Sequence, residues 1–174
     1  MWRLIRRSLA AVARVSGNTV AFLTLAMVLI MFTSTLLSQL FNINFIALQE
    51  SVTWLHATVF MLGAAYTLQR NEHVRVDIFY QGFSHKTQAL VDITGTLVFL
   101  FPMCLFILYS SINFVELSWK LNEASAEAGG LPALYLLKSL IWVMPVLMMI
   151  EGLHQIMLNI EKWRHAPADK GAQK

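Results

Sequence analysis

Residues 15–49, 51–69 and 93–115 contain no Lys, Arg, Asp or Glu, and a fourth uncharged apolar run follows Lys138. Crossing the hydrocarbon core of a bilayer takes about 20 apolar residues in helical form, and each of the first three runs approaches or exceeds that length. A soluble helical bundle would need a polar stripe along every helix, yet "AFLTLAMVLIMF" (Ala21 to Phe32) is apolar all round. Charged residues make up only 13% of the chain and apolar ones 57%, whereas soluble domains carry about a quarter charged residues. The fold class expected is therefore all-α and integral to the membrane. No water reaches the hydrocarbon layer, so each crossing segment has to satisfy its own backbone.

The four spans are placed at about 15–39, 46–69, 88–117 and 133–160, in a single transmembrane domain covering 1–174. The basic start "MWRLIRRSLAAVARVSG" resembles a signal peptide, but the following apolar stretch is too long for an h-region, so it reads as an uncleaved first span. The break "SQLFNIN" (Ser38 to Asn44) has neither Gly nor Pro. In "LNEASAEAGGLP" (Leu121 to Pro132), by contrast, paired glycines and a proline mark a loop ahead of a helix start. Pro102 and Pro145 fall inside spans and predict kinks. Ala13, Gly17 and Ala21, together with Gly63 to Ala65, predict close helix approach. Cys104, the single cysteine, reads as packing. The tail after Arg164 reads as disordered.

Basic residues set the expected orientation. Eleven of them (Arg3, Arg6, Arg7, Arg14, Arg70, Arg75, Lys86, Lys162, Arg164, Lys170 and Lys174) fall on the termini and the connection 70–87, and only Lys120 and Lys138 fall opposite. The positive-inside rule then places both termini and that connection in the cytoplasm and the loop 118–132 on the opposite face of the membrane. Trp54, Trp119 and Trp163 lie near span ends, as headgroup-level anchors do.

The connection itself, "LQRNEHVRVDIFYQGFSHK" (Leu68 to Lys86), is a charged island between nearly uncharged segments. A cytoplasmic loop meeting anionic headgroups through Arg70 and Arg75 explains its charge. It does not explain the alternation of His73, Arg75 and Asp77 with Val74, Val76 and Ile78. Here the chain resembles the small membrane subunit (DctQ type) of tripartite ATP-independent periplasmic (TRAP) transporters. The resemblance is carried by "LGAAYTLQRNEHVRVDIFY" (Leu62 to Tyr80) and by "SWKLNEASAEAGGLPALYLLKSLIWV" (Ser118 to Val143). The pattern is most similar to the subgroup labelled mannitol/chloroaromatic or 2-oxo-acid type, and Glu151 in "MIEGLHQI" departs from the glutamine expected there.

The resemblance implies a sodium-coupled importer of an organic acid, such as a 2-oxo or other carboxylic acid. A periplasmic binding protein captures the substrate, and a large membrane subunit holds the substrate and sodium sites. The present chain then supports the large subunit, carries no catalytic residue, cofactor or metal, and has no nucleic-acid partner. Arg70, His73, Arg75 and Asp77 become signature residues serving assembly or headgroup contact. Glu151 and His154, three residues apart on one helical face deep in a span, become a large-subunit contact, with a place lining an ion path as the competing reading of Glu151. Glu116, Lys120, Glu123 and Glu127 become the charges that meet the binding protein. A haem- or quinone-associated anchor of a respiratory enzyme is the alternative, through His56 and His154. Helical rise, however, sets these two histidines about 9 Å apart in depth, where a shared haem needs them level.

Overall fold

The computed structural model describes residues 2–70 and 83–165. Helix α1, Trp2–Phe41, starts well before the expected first span. It stops where Asn42 turns to φ 52°, a left-handed conformation that Asn tolerates better than most residues with a side chain. The Ile43 N–H donates back to the Leu37 carbonyl at 3.1 Å. Helix α2, Ile46–Gln69, begins after this four-residue break. It ends with the Arg70 N–H on the Tyr66 carbonyl at 3.1 Å.

Ser84 caps α3, His85–Gly95, by accepting from the Thr87 N–H. A π turn, Thr96–Leu100, then leads into α4, Phe101–Lys120, so that one rod runs from His85 to Lys120. The Phe101 N–H reaches the Thr96 carbonyl, five residues back. Pro102 has no N–H for the i−4 carbonyl of Val98, and its ring crowds that group. The expected disturbance at Pro102 is thus met by a widened turn immediately before it. The loop 121–133 uses positive φ at Asn122, Gly129 and Ala133, and α5, Leu134–His165, closes the described chain with Pro145 inside it.

The packing is side by side. α1 lies on α2, α2 on α5, and α5 on both α3 and α4, with a lesser contact between α1 and α5. The small residues foreseen on α1 and α2 meet there. Ala13 and Ala65 are buried, and a Cβ at Gly17 would stand 2.4 Å from Tyr66 Cδ2.

The distribution of polarity is inverted relative to a water-soluble fold. Phe22, Phe99 and Phe106 are 71%, 74% and 69% exposed, while Glu151, His154, Gln155 and Asn159 are buried. Apolar exteriors of this extent belong against lipid or a partner. Three helical rods, Ser8–Phe41, His85–Lys120 and Leu134–Arg164, are long and apolar enough to cross a membrane. The 24 residues of α2 cover about 36 Å at helical rise, long enough to span, but α2 is not one of these three rods.

Candidate functional site

Four of the buried polar residues, Glu151, His154, Gln155 and Asn159, gather in the half of α5 nearer the C-terminus, while Ser111 and Ser118 are buried on α4. Helical spacing puts 151, 154, 155 and 159 on one side of α5, and that side faces its neighbours. Glu151 is 0% exposed. Its Oε1 accepts from Gln155 Nε2 at 2.9 Å and lies 2.9 Å from His154 Nδ1. Whether His154 Nδ1 donates to or accepts from this oxygen is set by the imidazole tautomer.

The third partner comes from another helix. Gln69 Nε2, at the end of α2, donates to Glu151 Oε2 at 3.4 Å and to the Ala10 carbonyl of α1 at 3.1 Å. One amide group therefore ties three helices together. The neighbouring Arg70 guanidinium lies 5.2 Å from the centre of the Tyr66 ring, the same ring that fills the notch at Gly17.

Gly152 seals the other flank. A Cβ there would stand 2.8 Å from Phe101 Cε1, 3.0 Å from Leu100 Cδ2 and 3.2 Å from Thr96 Cγ2. The π turn thus presses onto α5 directly beside the carboxylate. Two turns beyond Glu151, Asn159 is 3% exposed, and its Oδ1 has no hydrogen-bond partner among the described residues.

A second polar assembly sits at the opposite end. Glu50 of α2 accepts from the Leu131 N–H at 2.6 Å and from the Ser125 hydroxyl. Gly130 is required beside it, since a Cβ there would stand 2.6 Å from Ser125 Cβ. Glu123 pairs with Lys138 of α5 at 2.5 Å, and the Lys138 ammonium lies 4.1 Å from the centre of the Phe114 ring. The hydrogen bond from Lys138 holds the Glu123 carboxyl below the usual glutamate range. Trp119 Nε1 donates to Ser139 Oγ at 2.8 Å, joining α4 to α5.

The residues singled out from sequence are distributed as follows. Glu151 and His154 do come together, but their polar atoms turn inward, so any partner contact in this region runs through their neighbours. His56 is exposed on α2 while His154 is buried on α5, so the two imidazoles do not share an environment. Glu116 and Lys120 form an exposed surface pair at 3.2 Å, Glu127 is exposed, and Glu123 is occupied by Lys138. His73, Arg75 and Asp77 lie outside the described residues. Gln69 and Gln155 escaped sequence reasoning. A signal was available for Gln155 alone, which lies four residues after Glu151 on the same side of the helix.

An all-helical membrane protein with an apolar exterior, whose buried polar groups bind its own helices to one another, is the class this architecture defines. The family model for tripartite ATP-independent periplasmic transporters, DctQ component, matches residues 27–162. The chain belongs to that family, as the runs around Arg75 and Pro132 imply. No curated relative and no solved structure matches it.

Proposed function

We propose that this chain is the small, non-catalytic membrane subunit of a sodium-coupled TRAP transporter that imports an organic acid, a 2-oxo or other carboxylic acid. A periplasmic binding protein delivers the substrate and a large membrane subunit carries it across. The chain forms one domain that crosses the bacterial inner membrane four times, α2 included, with both termini and residues 70–87 cytoplasmic and 118–132 periplasmic. The observation that carries this reading is the combination of a lipid-compatible exterior with an interior whose described polar side chains are largely bound to one another. Such a body can serve as a fixed frame beside a moving transport domain.

Within that frame Glu151 and His154 support the large-subunit contact from behind, by fixing α1, α2 and α5. Arg70, His73, Arg75 and Asp77 serve assembly or headgroup contact at the cytoplasmic face. Glu116, Lys120 and Glu127 are the charges offered to the binding protein, with Glu123 holding the loop that presents them.

The test is reconstitution of the large subunit and binding protein into vesicles with and without this chain, under a sodium gradient. Uptake should require all three proteins, and the chain should co-purify with the large subunit. Full-rate import without it would sink the proposal. So would a terminal tag accessible from the periplasm of intact spheroplasts.

A further inference from the structure

The exposed residues of α2 are Gln49, Thr53, His56 and Phe60. Spacings of four, three and four residues put them on one side of the helix, and three of the four are polar. The rod that includes the π turn and α4 shows the opposite pattern, with Phe99, Met103, Phe106 and Tyr109 as its exposed line. The two flanks of α2 are taken by α1 and α5, so this stripe is what remains of its circumference.

Neither the Gln49 amide nor the His56 ring has a hydrogen-bond partner among the described residues. The Thr53 hydroxyl makes one long bond, 3.4 Å, to the Gln49 carbonyl. A cleft of about 290 Å³ adjoins the stripe, and Ser34 and Ser38 of α1 add hydroxyl groups to its wall beside Gln49. At helical rise, His56 lies about 10 Å further along the axis than Gln49, inside the proposed second span. Acyl chains offer no hydrogen bonds at that depth, and an unpaired polar group there costs several kcal/mol. A helix bringing hydroxyl, amide or carboxyl side chains removes that cost.

We propose that the Gln49, Thr53 and His56 stripe, with the Ser34 and Ser38 cleft beside it, seats one transmembrane helix of the large membrane subunit, a helix carrying hydrogen-bonding side chains. The inference rests on the reading of the chain as a small transporter subunit, and it names the face that the subunit uses. A larger membrane partner is favoured over a second copy because the family is one component of a three-part transporter. The lipid-facing surface is then the apolar line through Phe99 and Phe106.

A photocrosslinking amino acid is placed singly at positions 53, 56 and 106 in the co-expressed complex. Adducts with the large subunit are expected at 53 and 56, and adducts with lipid at 106. The Gln49→Leu, His56→Leu double variant should lower the large subunit recovered per chain about sevenfold, the loss of two interhelical hydrogen bonds of ordinary membrane strength. The same variant should leave the melting of the isolated chain unchanged, which separates docking from folding. Adducts at 53 and 56 with lipid alone, or with a second copy of this chain, would overturn the assignment while the large subunit still co-purifies. If the wild-type chain recovers no large subunit at all, the proposed function itself fails.

Discussion

Glu151 is 0% exposed and lies within hydrogen-bond distance of three side chains: Gln155, His154 and Gln69. Replacing it with Leu strands all three, whereas replacing it with Gln keeps one acceptor and turns an NH2 group toward the NH2 of Gln69. Interhelical hydrogen bonds inside membranes contribute about 0.6 kcal/mol on average, and a buried donor left unpaired costs about 1–3 kcal/mol. Glu151→Gln should therefore cost about 1 kcal/mol and Glu151→Leu about 3 kcal/mol or more, read as melting in detergent by tryptophan fluorescence. Sodium-driven uptake by the Gln variant should persist in the assembled complex. Loss of uptake with assembly intact would give the carboxylate a part in transport and end its purely supporting role. Depth in a span was enough to single out Glu151 from sequence, and the i+3 spacing brought in His154. Gln69 stayed hidden because its partner is 82 positions away, and nothing local in an amide at a helix end reveals what it binds.

At the scale of helices, periodicity and charge-free length were legible, and geometry within the helices was not. Pro102 announced a disturbance, but only the structure shows it taken up as a π turn that then seats on Gly152. The first break was hard to read because it relies on one left-handed Asn rather than on Gly or Pro. The small residues of α1 and α2 were readable as a contact, and their demands differ from those of other glycines. Gly17 meets the Tyr66 ring with no room for a methyl group, while Gly95 has open space around it. Gly17→Ala should cost about 1–3 kcal/mol, as overpacked interfaces do. Gly95→Ala should be neutral or stabilise by up to about 1 kcal/mol, from helix propensity alone. Paired thermal melts of the two variants check this. Equal melting of both would mean that the α1–α2 contact is looser than the Gly17 notch implies.

Across the whole molecule, α1, α2 and α5 touch one another, whereas the rod of α3 and α4 leans on α5. The loop 121–133 compensates at one end. Through Glu50, Ser125 and the Leu131 amide it reaches α2, and through Glu123 and Lys138 it reaches α5. This closure was invisible in the sequence, where the glycines and Pro132 marked only a turn between spans. Its ionic half is sensitive to acid in a definite direction. The Glu123 carboxyl titrates lower in the fold than when free, because Lys138 donates to it. Its stabilisation is therefore complete above the unfolded glutamate value of about 4.3 and is lost as pH falls through the lower folded value. Amide protection of Gly130 and Leu131, corrected for intrinsic exchange, should stay level from neutral pH down to about that unfolded value and fall below it. In Glu123→Gln the protection should be lower at neutral pH and fall less steeply on acidification, since only the Glu50 half remains to titrate. Superimposable profiles for wild type and Glu123→Gln would show that the ion pair contributes nothing to holding the loop.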